Sequence, residues 1–186
     1  MKTTILLFHP YMNESRVNKA LAQAASDAGI EVRDMYKLYP DFKIDLAAEK
    51  KVLENTERLV LQFPMFWYSS PALLKQWEDD VLIQKWVYTR KGGLLAGKDL
   101  LIAVSPGAVK KEYRRDDEVR YTAPELLYPL HATTDLVQAR YAEPFITYGA
   151  STMTDEELAK RQQEYVDYLQ TPGHLPEASQ YGNEEK

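Results

Sequence analysis

Short apolar runs alternate with stretches of helical periodicity along most of the chain. Five apolar runs predict β-strands, at residues 4–8, 30–35, 58–64, 99–105 and 138–148. The first run and residues 100–104 of the fourth are continuous apolar stretches, which are typical of strands covered on both faces in a parallel sheet. Strands of this kind separated by helices form the pattern of repeated βαβ units.

The segments between the strands carry helix signals. Apolar residues at helical spacing predict helices at about 16–28, 46–54, 70–83, 124–130 and 155–169. Gly29 suits the left-handed residue that follows a helix. Ser70 before Pro71 predicts a cap followed by proline at the first helical position. Thr154 and Glu157 have the spacing of a capping box.

Together these elements predict an α/β three-layer sandwich around a five-stranded parallel sheet, with strand order 2-1-3-4-5. In such sheets a ligand binds beyond the carboxyl ends of the strands, where the strand order reverses. The loops that follow Phe8, Pro64 and Ser105 therefore form the candidate site. We expect one domain over residues 1–170 and a polar tail over 171–186.

Composition and charge exclude several classes of function. The 186 residues have a formal net charge of −5, so no basic field favours nucleic acid or anionic lipid. With no cysteine, disulfides, thiolate metal sites and a cysteine nucleophile are excluded. No apolar run approaches the ~18 residues of a membrane span, and the N-terminal run is too short for a signal peptide. We expect a cytoplasmic protein without membrane insertion, and no metal, because His131 and His174 lack ligand spacing.

The first candidate loop, residues 9–18, precedes a predicted helix N-terminus, where free backbone N–H groups and the helix dipole favour a phosphate. Ser15 can add a hydroxyl and Asn18 an amide. Two structural interpretations stay open, namely that Ser15 only caps the helix and that His9 is a buried structural histidine. The glycine-rich dinucleotide fingerprint and the Walker A lysine are both absent.

The other two loops suit a flat aromatic ligand. Phe66, Trp67 and Tyr68 follow one another at a strand end and can form apolar walls, for example around a flavin ring. The alternative is that they are core or interface residues. In the segment 105–108, glycine and alanine let the backbone approach a ligand closely, although Pro-Gly is also a common turn.

These three loops resemble the corresponding segments of the flavodoxin-like NAD(P)H:quinone oxidoreductases, the Flavodoxin-2 group. The chain is most similar to the bacterial general-stress oxidoreductases and to the quinone reductases that accompany glutathione-gated potassium-efflux systems, and DT-diaphorase is more distant. The resemblance covers about residues 3–170. Beyond the loops, it rests on residues 38–41, 71–77, 97–98 and 144–145.

The resemblance implies a flavodoxin-like fold, FMN as cofactor (with FAD possible) and NAD(P)H as co-substrate. It implies a homodimer whose sites are completed at the subunit interface, and ping-pong transfer of hydride from NAD(P)H through flavin to a quinone-type acceptor. It places the FMN phosphate and ribityl chain at His9, Ser15, Arg16, Val17 and Asn18, the isoalloxazine at Met65, Phe66, Trp67 and Tyr68, and its pyrimidine edge at Ser105, Pro106, Gly107 and Ala108.

The chain departs from the family pattern in two places. Relatives usually have Thr-Thr-Gly-Gly or Ser-Thr-Gly at 105–108, whereas Pro106 removes a backbone N–H worth about 1 kcal/mol if it binds flavin. Ala108 also occupies a position built for glycine. In DT-diaphorase, a tyrosine and a histidine stabilise the reduced flavin. Tyr113 matches the tyrosine and is the expected catalytic residue, but the histidine position falls near Val119, with Arg120 as a candidate replacement.

Several functional alternatives stay open. The basic residues at 110–111 and 114–115 can bind an NADP phosphate or form a solvated loop balanced by the acidic run 116–118. The acceptor can be an azo dye, a nitroaromatic or free flavin instead of a quinone. The chain can instead be a regulatory subunit of a potassium-efflux transporter, or a binding module that has lost its flavin.

Overall fold

The computed structural model describes residues 1–90, 92–116 and 120–171. Within these residues, six parallel strands form one sheet. Five of them follow the order β2-β1-β3-β4-β5, and β6 pairs with β4 on the same side as β5, further along β4. The predicted strand order is therefore confirmed. The strands are β1 Thr3–Leu7, β2 Glu31–Asp34, β3 Arg58–Pro64, β4 Asp99–Ser105, β5 Arg140–Tyr141 and β6 Phe145–Ile146.

Helices cover both faces of the sheet. The α-helices are α1 Val17–Asp27, α2 Met35–Leu38, α3 Leu46–Glu54, α4 Ala72–Trp77, α5 Ala123–Leu126, α6 Tyr128–Leu136 and α7 Asp155–Gln170. A π-helical turn, Glu78–Leu82, continues α4, and a 3-10 turn spans Lys110–Glu112.

Alternate residues of the buried strands face two separate cores. On one face, Val60 and Leu101 pack with α1 and α7. On the other face, Leu61 and Ile102 pack with residues of α3 and α4 and with Leu127. Because β3 and β4 are buried at every position, they form the centre of the three layers, as their mainly apolar sequences predict.

A buried ionic network lies at the amino ends of the central strands. Arg58, Asp99 and Arg140 are the first residues of β3, β4 and β5 and stand in register. Arg58 is fully buried and lies 3.2 Å from the Asp99 carboxylate, which also contacts Arg140 at 2.6 Å. Arg58 donates a further hydrogen bond to the carbonyl of Leu169, which attaches the end of α7 to the sheet.

The predicted fifth strand, 138–148, is wrong as one element, because it consists of two short strands. The β4 residues Asp99 and Leu100 pair with β5, and Ala103 and Val104 pair with β6. One extra residue is accommodated between the two pairings, in the segment that contains Pro144. Proline lacks the N–H that a continuous ladder needs, so the strand bulges there.

Smaller differences between the predicted and the observed helices and strands have local causes. Met35 begins α2 rather than ending a strand, because the Asp34 side chain accepts a hydrogen bond from the Lys37 N–H and caps a helical turn. The prediction of Ser70 as a cap is wrong, since Pro71 holds the cap position and no side chain caps α4. The predicted helix at 124–130 is divided into α5 and α6, which extends to residue 136.

Two of the predicted helix-end residues or motifs are confirmed. Gly29 has φ +81° and follows Ala28, the C-cap of α1, and Thr154 and Glu157 form the capping box of α7. Residues 172–186 of the predicted tail, including His174, lie outside the described residues, as do residues 117–119.

Candidate functional site

Ser105, the last residue of β4, links the three candidate loops. Its hydroxyl oxygen accepts a 2.6 Å hydrogen bond from Asn18 Nδ2 in the first turn of α1. Its backbone carbonyl accepts from the Met65 N–H at 3.1 Å, at the start of the second loop. Ser105 and Asn18 are both almost completely buried. The structure therefore brings together the ends of β1, β3 and β4, as the strand order predicts.

The N-terminus of α1 offers free donors to this site. Arg16 holds the cap position, and no side chain caps the helix. In the described part of the chain, the backbone N–H groups of Val17, Asn18 and Lys19 donate to no recorded protein acceptor. The interpretation of Ser15 as the capping residue is thus wrong. Free N–H groups at the positive end of an 11-residue helix suit a phosphate.

Two of the residues predicted to bind the phosphate direct their side chains away from the candidate site. The Arg16 guanidinium lies 2.5 Å from the carbonyl of Met153 and 2.5 Å from the Asp155 carboxylate, at the start of α7. The Val17 side chain is buried in the core between α1 and the sheet. Val17 can therefore contribute only its backbone, and Arg16 is held on α7.

His9 stands at the edge of the site as a neutral ring. Its Nδ1 accepts a 3.1 Å hydrogen bond from the Tyr11 N–H, which places the ring proton on Nε2. Burial lowers the pKa of His9, against a smaller opposing effect of Asp34. The ring meets Phe66 edge to face, with 6.2 Å between centroids. His9 thus joins the first loop to the second.

The second loop closes in a tight aromatic turn. Phe66 and Ser69 exchange backbone hydrogen bonds of 3.0 and 2.9 Å across it. Trp67 and Tyr68 between them have φ of 49° and 61°, in the left-handed region that costs energy for residues other than glycine. Trp67 is 96% exposed and Tyr68 is 50% exposed, so the interpretation of these two rings as core residues is wrong.

The third loop is held against the segment that precedes α7. The carbonyls of Pro106 and Ala108 accept hydrogen bonds of 3.1 and 2.8 Å from the N–H groups of Ala150 and Gly149. A Cβ at Gly107 would lie 2.9 Å from Ser151 Oγ, so this close approach favours glycine. Within the described segments, the N–H groups of Gly107 and Ala108 have no recorded acceptor, and they remain available to a ligand.

Tyr113 lies beside the third loop as a protonated phenol. Its side chain is almost buried, and its ring centroid lies 5.7 Å from that of Tyr148. Burial raises the pKa of Tyr113, with smaller contributions from Tyr68 and Glu112. Arg120 is exposed with φ 59°, while the neighbouring position Val119 is outside the described residues.

The basic cluster near Tyr113 is partly neutralised within the protein. Arg114 lies 2.5 Å from Asp116, and Arg115 lies 2.5 Å from Glu125. These pairs favour the interpretation of 110–115 as a solvated loop. No group of His, Asp and Glu residues in the described ranges has the arrangement of a metal site.

An apolar cavity of about 490 Å³ adjoins the aromatic turn through Ser69 and Ser70. It lies between the π-helical turn and α6, and Glu78 lines it. Burial raises the pKa of Glu78 to about 7. No sequence pattern predicts this cavity, because its walls come from helices far apart in the chain.

The donor set of the three loops fits FMN. The N–H groups of α1 match a phosphate, and the Ser105 hydroxyl with the N–H groups of Gly107 and Ala108 match the polar edge of a flavin. Trp67 and Tyr68 supply exposed flat rings at the same edge of the sheet. Pro106 removes one donor from this set.

Known proteins of similar sequence include several bacterial oxidoreductases. General stress protein 14 of Bacillus subtilis is 41% identical over 173 residues, which cover 92% of this chain and 99% of that protein. The uncharacterised NAD(P)H oxidoreductase YrkL of the same organism is 42% identical, covering 91% and 98%. The potassium-efflux ancillary protein KefF of Salmonella schwarzengrund is 38% identical, covering 90% and 94%.

Solved structures agree with the fold. One described as a thermophilic tryptophan halogenase from Streptomycin violaceusniger has a TM-score of 0.87 at 41% identity and covers 90% of this chain and 98% of that one. General stress protein 14 of Treponema denticola, solved in complex with FMN, has a TM-score of 0.85 at 37% identity and covers 91% and 98%.

No helix in the described parts of the chain is long and apolar enough to cross a membrane. The family model Flavodoxin_2, described as the flavodoxin-like fold, matches residues 1–169. With the parallel sheet, the strand order and the loops that meet at Ser105, this match shows that the chain belongs to the Flavodoxin_2 family.

Proposed function

We propose that the protein is an FMN-dependent NAD(P)H oxidoreductase that reduces quinone-type acceptors. The observation that carries this proposal is the convergence of three loops on Ser105, beside an uncapped helix N-terminus and an exposed aromatic turn. The FMN bound to the Treponema relative and the NAD(P)H oxidoreductase name of the Bacillus relative support the cofactor and the co-substrate.

Bound FMN would supply the chemistry of hydride transfer between NAD(P)H and the acceptor. The N–H groups of the first turn of α1 hold the phosphate. The Ser105 hydroxyl and the N–H groups of Gly107 and Ala108 would donate to the polar edge of the ring and so stabilise the negative charge of reduced flavin. Tyr113, a protonated phenol, is the residue we propose to donate a further hydrogen bond there.

The exposed aromatic turn completes the pocket. The exposed rings of Trp67 and Tyr68 would cover bound flavin, exclude water from it and provide a flat surface for nicotinamide and then for the acceptor. Because one surface serves both, we propose a ping-pong cycle. We also propose a cytoplasmic homodimer, in which the exposed turn contacts the second subunit.

An absorbance titration tests the function. Purified protein mixed with FMN is expected to show a perturbed flavin spectrum, and anaerobic NADPH is expected to bleach it faster than in a protein-free control. Reoxidation is then followed with a quinone, an azo dye and a nitroaromatic compound, which separates the possible acceptors. Absence of both FMN binding and faster bleaching contradicts the proposal and favours a binding module without flavin.

A second function is favoured by the similarity to the potassium-efflux ancillary protein. In this case the protein binds a glutathione-gated transporter and increases its activity. The test is potassium efflux from cells that express such a transporter with and without this chain. The Asn18→Asp variant, for which we expect the larger loss of FMN affinity, serves as a comparison with weakened flavin binding, and unchanged efflux in the presence of the wild-type chain contradicts this role.

A further inference from the structure

Gln62 is a polar residue in the middle of a completely buried strand. Every residue of β3 is buried, and Gln62 itself has no exposed surface. Burial of an unpaired amide is unfavourable by several kcal/mol, so its hydrogen bonds decide whether this position is tolerated. The Gln62 side chain lies on the face covered by α1 and α7, since Val60, two residues earlier, packs there.

The hydrogen bonds of Gln62 have a definite direction. Tyr165 of α7 donates its phenolic O–H to Gln62 Oε1 at 3.1 Å. Gln62 Nε2 then donates to the Asn18 backbone carbonyl at 3.0 Å and to Asn18 Oδ1 at 3.4 Å. Complete burial raises the pKa of Tyr165, so its oxygen keeps the proton and remains a donor.

The direction of these hydrogen bonds fixes the orientation of the Asn18 side-chain amide. Because the donor group of Gln62 faces Asn18 Oδ1, the Asn18 Nδ2 group is the one that faces Ser105, and it donates to the Ser105 hydroxyl at 2.6 Å. The Ser105 oxygen therefore acts as an acceptor toward the protein. Its own proton has no recorded acceptor in residues 1–90, 92–116 or 120–171, although the side chain is almost buried.

The donors thus run in one direction, from Tyr165 through Gln62 and Asn18 to Ser105. We propose that Gln62 and Tyr165 are positioning residues that orient the Ser105 O–H as a donor to the polar edge of bound flavin. This inference rests on the proposed FMN function. Neither residue needs to touch the cofactor, because both act through the Asn18 amide.

Packing alone does not require a glutamine at this position. A methionine of similar length at residue 62 can fill the space beside Val60 and Leu101, although it leaves the Tyr165 O–H and the Asn18 carbonyl without this partner and is therefore expected to lower stability as well. What methionine cannot do is hold Asn18 in one amide orientation. The difference between packing and orientation provides the basis of the test.

The test is a double-mutant cycle in the full-length protein, with FMN affinity measured by quenching of flavin fluorescence. We expect Gln62→Met and Ser105→Ala each to weaken FMN binding by about 10-fold, the value of one hydrogen bond of ordinary strength. Because Gln62 acts through Ser105, the double variant is expected to be weakened less than about 2-fold beyond Ser105→Ala alone.

Tyr165→Phe and Tyr39→Phe form a matched pair. Each substitution removes one buried phenolic O–H, but Tyr39 donates to Glu49 on the opposite face of the sheet. Tyr165→Phe is expected to weaken FMN binding by about 3-fold and Tyr39→Phe by less than about 1.5-fold, in line with modest hydrogen-bond losses. Thermal unfolding without FMN measures the purely structural effect of each variant.

Each alternative result overturns the inference. Independent, multiplying effects of Gln62→Met and Ser105→Ala show that Gln62 does not act through Ser105. Equal losses of FMN affinity in the two tyrosine variants show a general effect of stability. Failure of the wild-type protein to bind FMN overturns the proposed function and this inference with it, whereas wild-type binding with an unchanged Gln62→Met affinity overturns this inference alone.

Discussion

The two ends of the central strands both carry buried polar networks, but the networks differ in kind. At the amino ends, the Asp99 carboxylate is enclosed by Arg58 and Arg140, and Arg58 also bonds the end of α7. At the carboxyl ends, the network consists of neutral side chains, those of Tyr165, Gln62, Asn18 and Ser105. The Ser105 hydroxyl proton at its end has no acceptor within the described residues. The ionic network therefore bonds parts of the protein to one another, whereas the neutral network leaves a hydrogen-bond donor available to a ligand.

The absence of charge in the second network has a physical reason. The first turn of α1 presents free N–H groups at the positive end of the helix dipole, and a phosphate gains from both. A buried carboxylate beside this turn would repel that phosphate, because charges interact strongly where water is excluded. A neutral amide at Asn18 orients Ser105 without this cost.

The largest expected effect comes from breaking the ionic network. Asp99→Ala leaves Arg58 buried without its carboxylate, and we expect the free energy of unfolding to fall by about 3–5 kcal/mol. FMN affinity is expected to stay within about 2-fold at temperatures where the variant is folded, because the sites are at opposite strand ends. Urea unfolding and FMN titration measure the two quantities.

A matched control uses an exposed ion pair. Asp116→Ala removes one partner of Arg114 on the surface and is expected to leave the unfolding free energy nearly unchanged, because exposed ion pairs contribute little. Comparable losses for Asp99→Ala and Asp116→Ala contradict a special role of the buried network.

The next largest effect is expected when charge is introduced at the carboxyl ends. Asn18→Asp keeps the side-chain shape, but it replaces the donor toward Ser105 with a carboxylate beside the helix N-terminus. We expect FMN affinity to fall by about 100-fold, since a lost hydrogen bond and repulsion of the phosphate together are worth about 3 kcal/mol. Fluorescence titration at low and high salt checks this value.

Asn18→Ala separates the two contributions. It removes the hydrogen bond without adding a charge, and we expect a loss of about 10-fold that depends little on salt. Equal losses in the two variants at every salt concentration would show that charge at this position is unimportant.

Sequence patterns predict β3 and β4 to the residue, because each is a mainly apolar run that begins at a charged residue and ends at a turn-forming one. The three loops were also predicted, since parallel strands end at one edge. Neither network was predicted. Arg58, Asp99 and Arg140 meet only through strand register, and Gln62 meets Tyr165 only when α7 lies on the sheet. A lone glutamine within an apolar strand was the available signal.

A smaller effect concerns the backbone of the aromatic turn. Trp67 has φ 49°, which glycine adopts without strain. Trp67→Gly and Trp67→Ala both remove the ring, and we expect each to weaken FMN binding by about 5-fold, consistent with the loss of one aromatic contact. Only Trp67→Gly relieves the backbone, so its unfolding free energy should exceed that of Trp67→Ala by about 1 kcal/mol. Equal unfolding free energies contradict backbone strain in the turn.

The smallest expected effect concerns Glu78, a carboxyl group that is half-buried beside the apolar cavity. Asp99 is enclosed by two arginines, whereas Lys75, on the same helical segment as Glu78, pairs with Asp79. Burial raises the pKa of Glu78 from 4.5 to about 7, against a smaller lowering effect of Lys75 and with a still smaller contribution from Asp79. A carboxyl group with this direction of shift binds its proton more tightly in the folded state.

The resulting pH dependence has a definite sign. The stabilising contribution of Glu78 is complete below pH 4.5 and is lost as the pH rises through about 7, because the charged form is disfavoured in the fold. Glu78→Gln removes this loss, so its unfolding free energy relative to wild type should rise by about 1 kcal/mol between pH 5 and pH 8, after allowance for solvent screening. Asp79→Asn, at the exposed neighbour, should lack this rise. Urea unfolding at the two pH values measures the difference, and an identical Glu78→Gln effect at both would show that the cavity does not hold Glu78 in its protonated form.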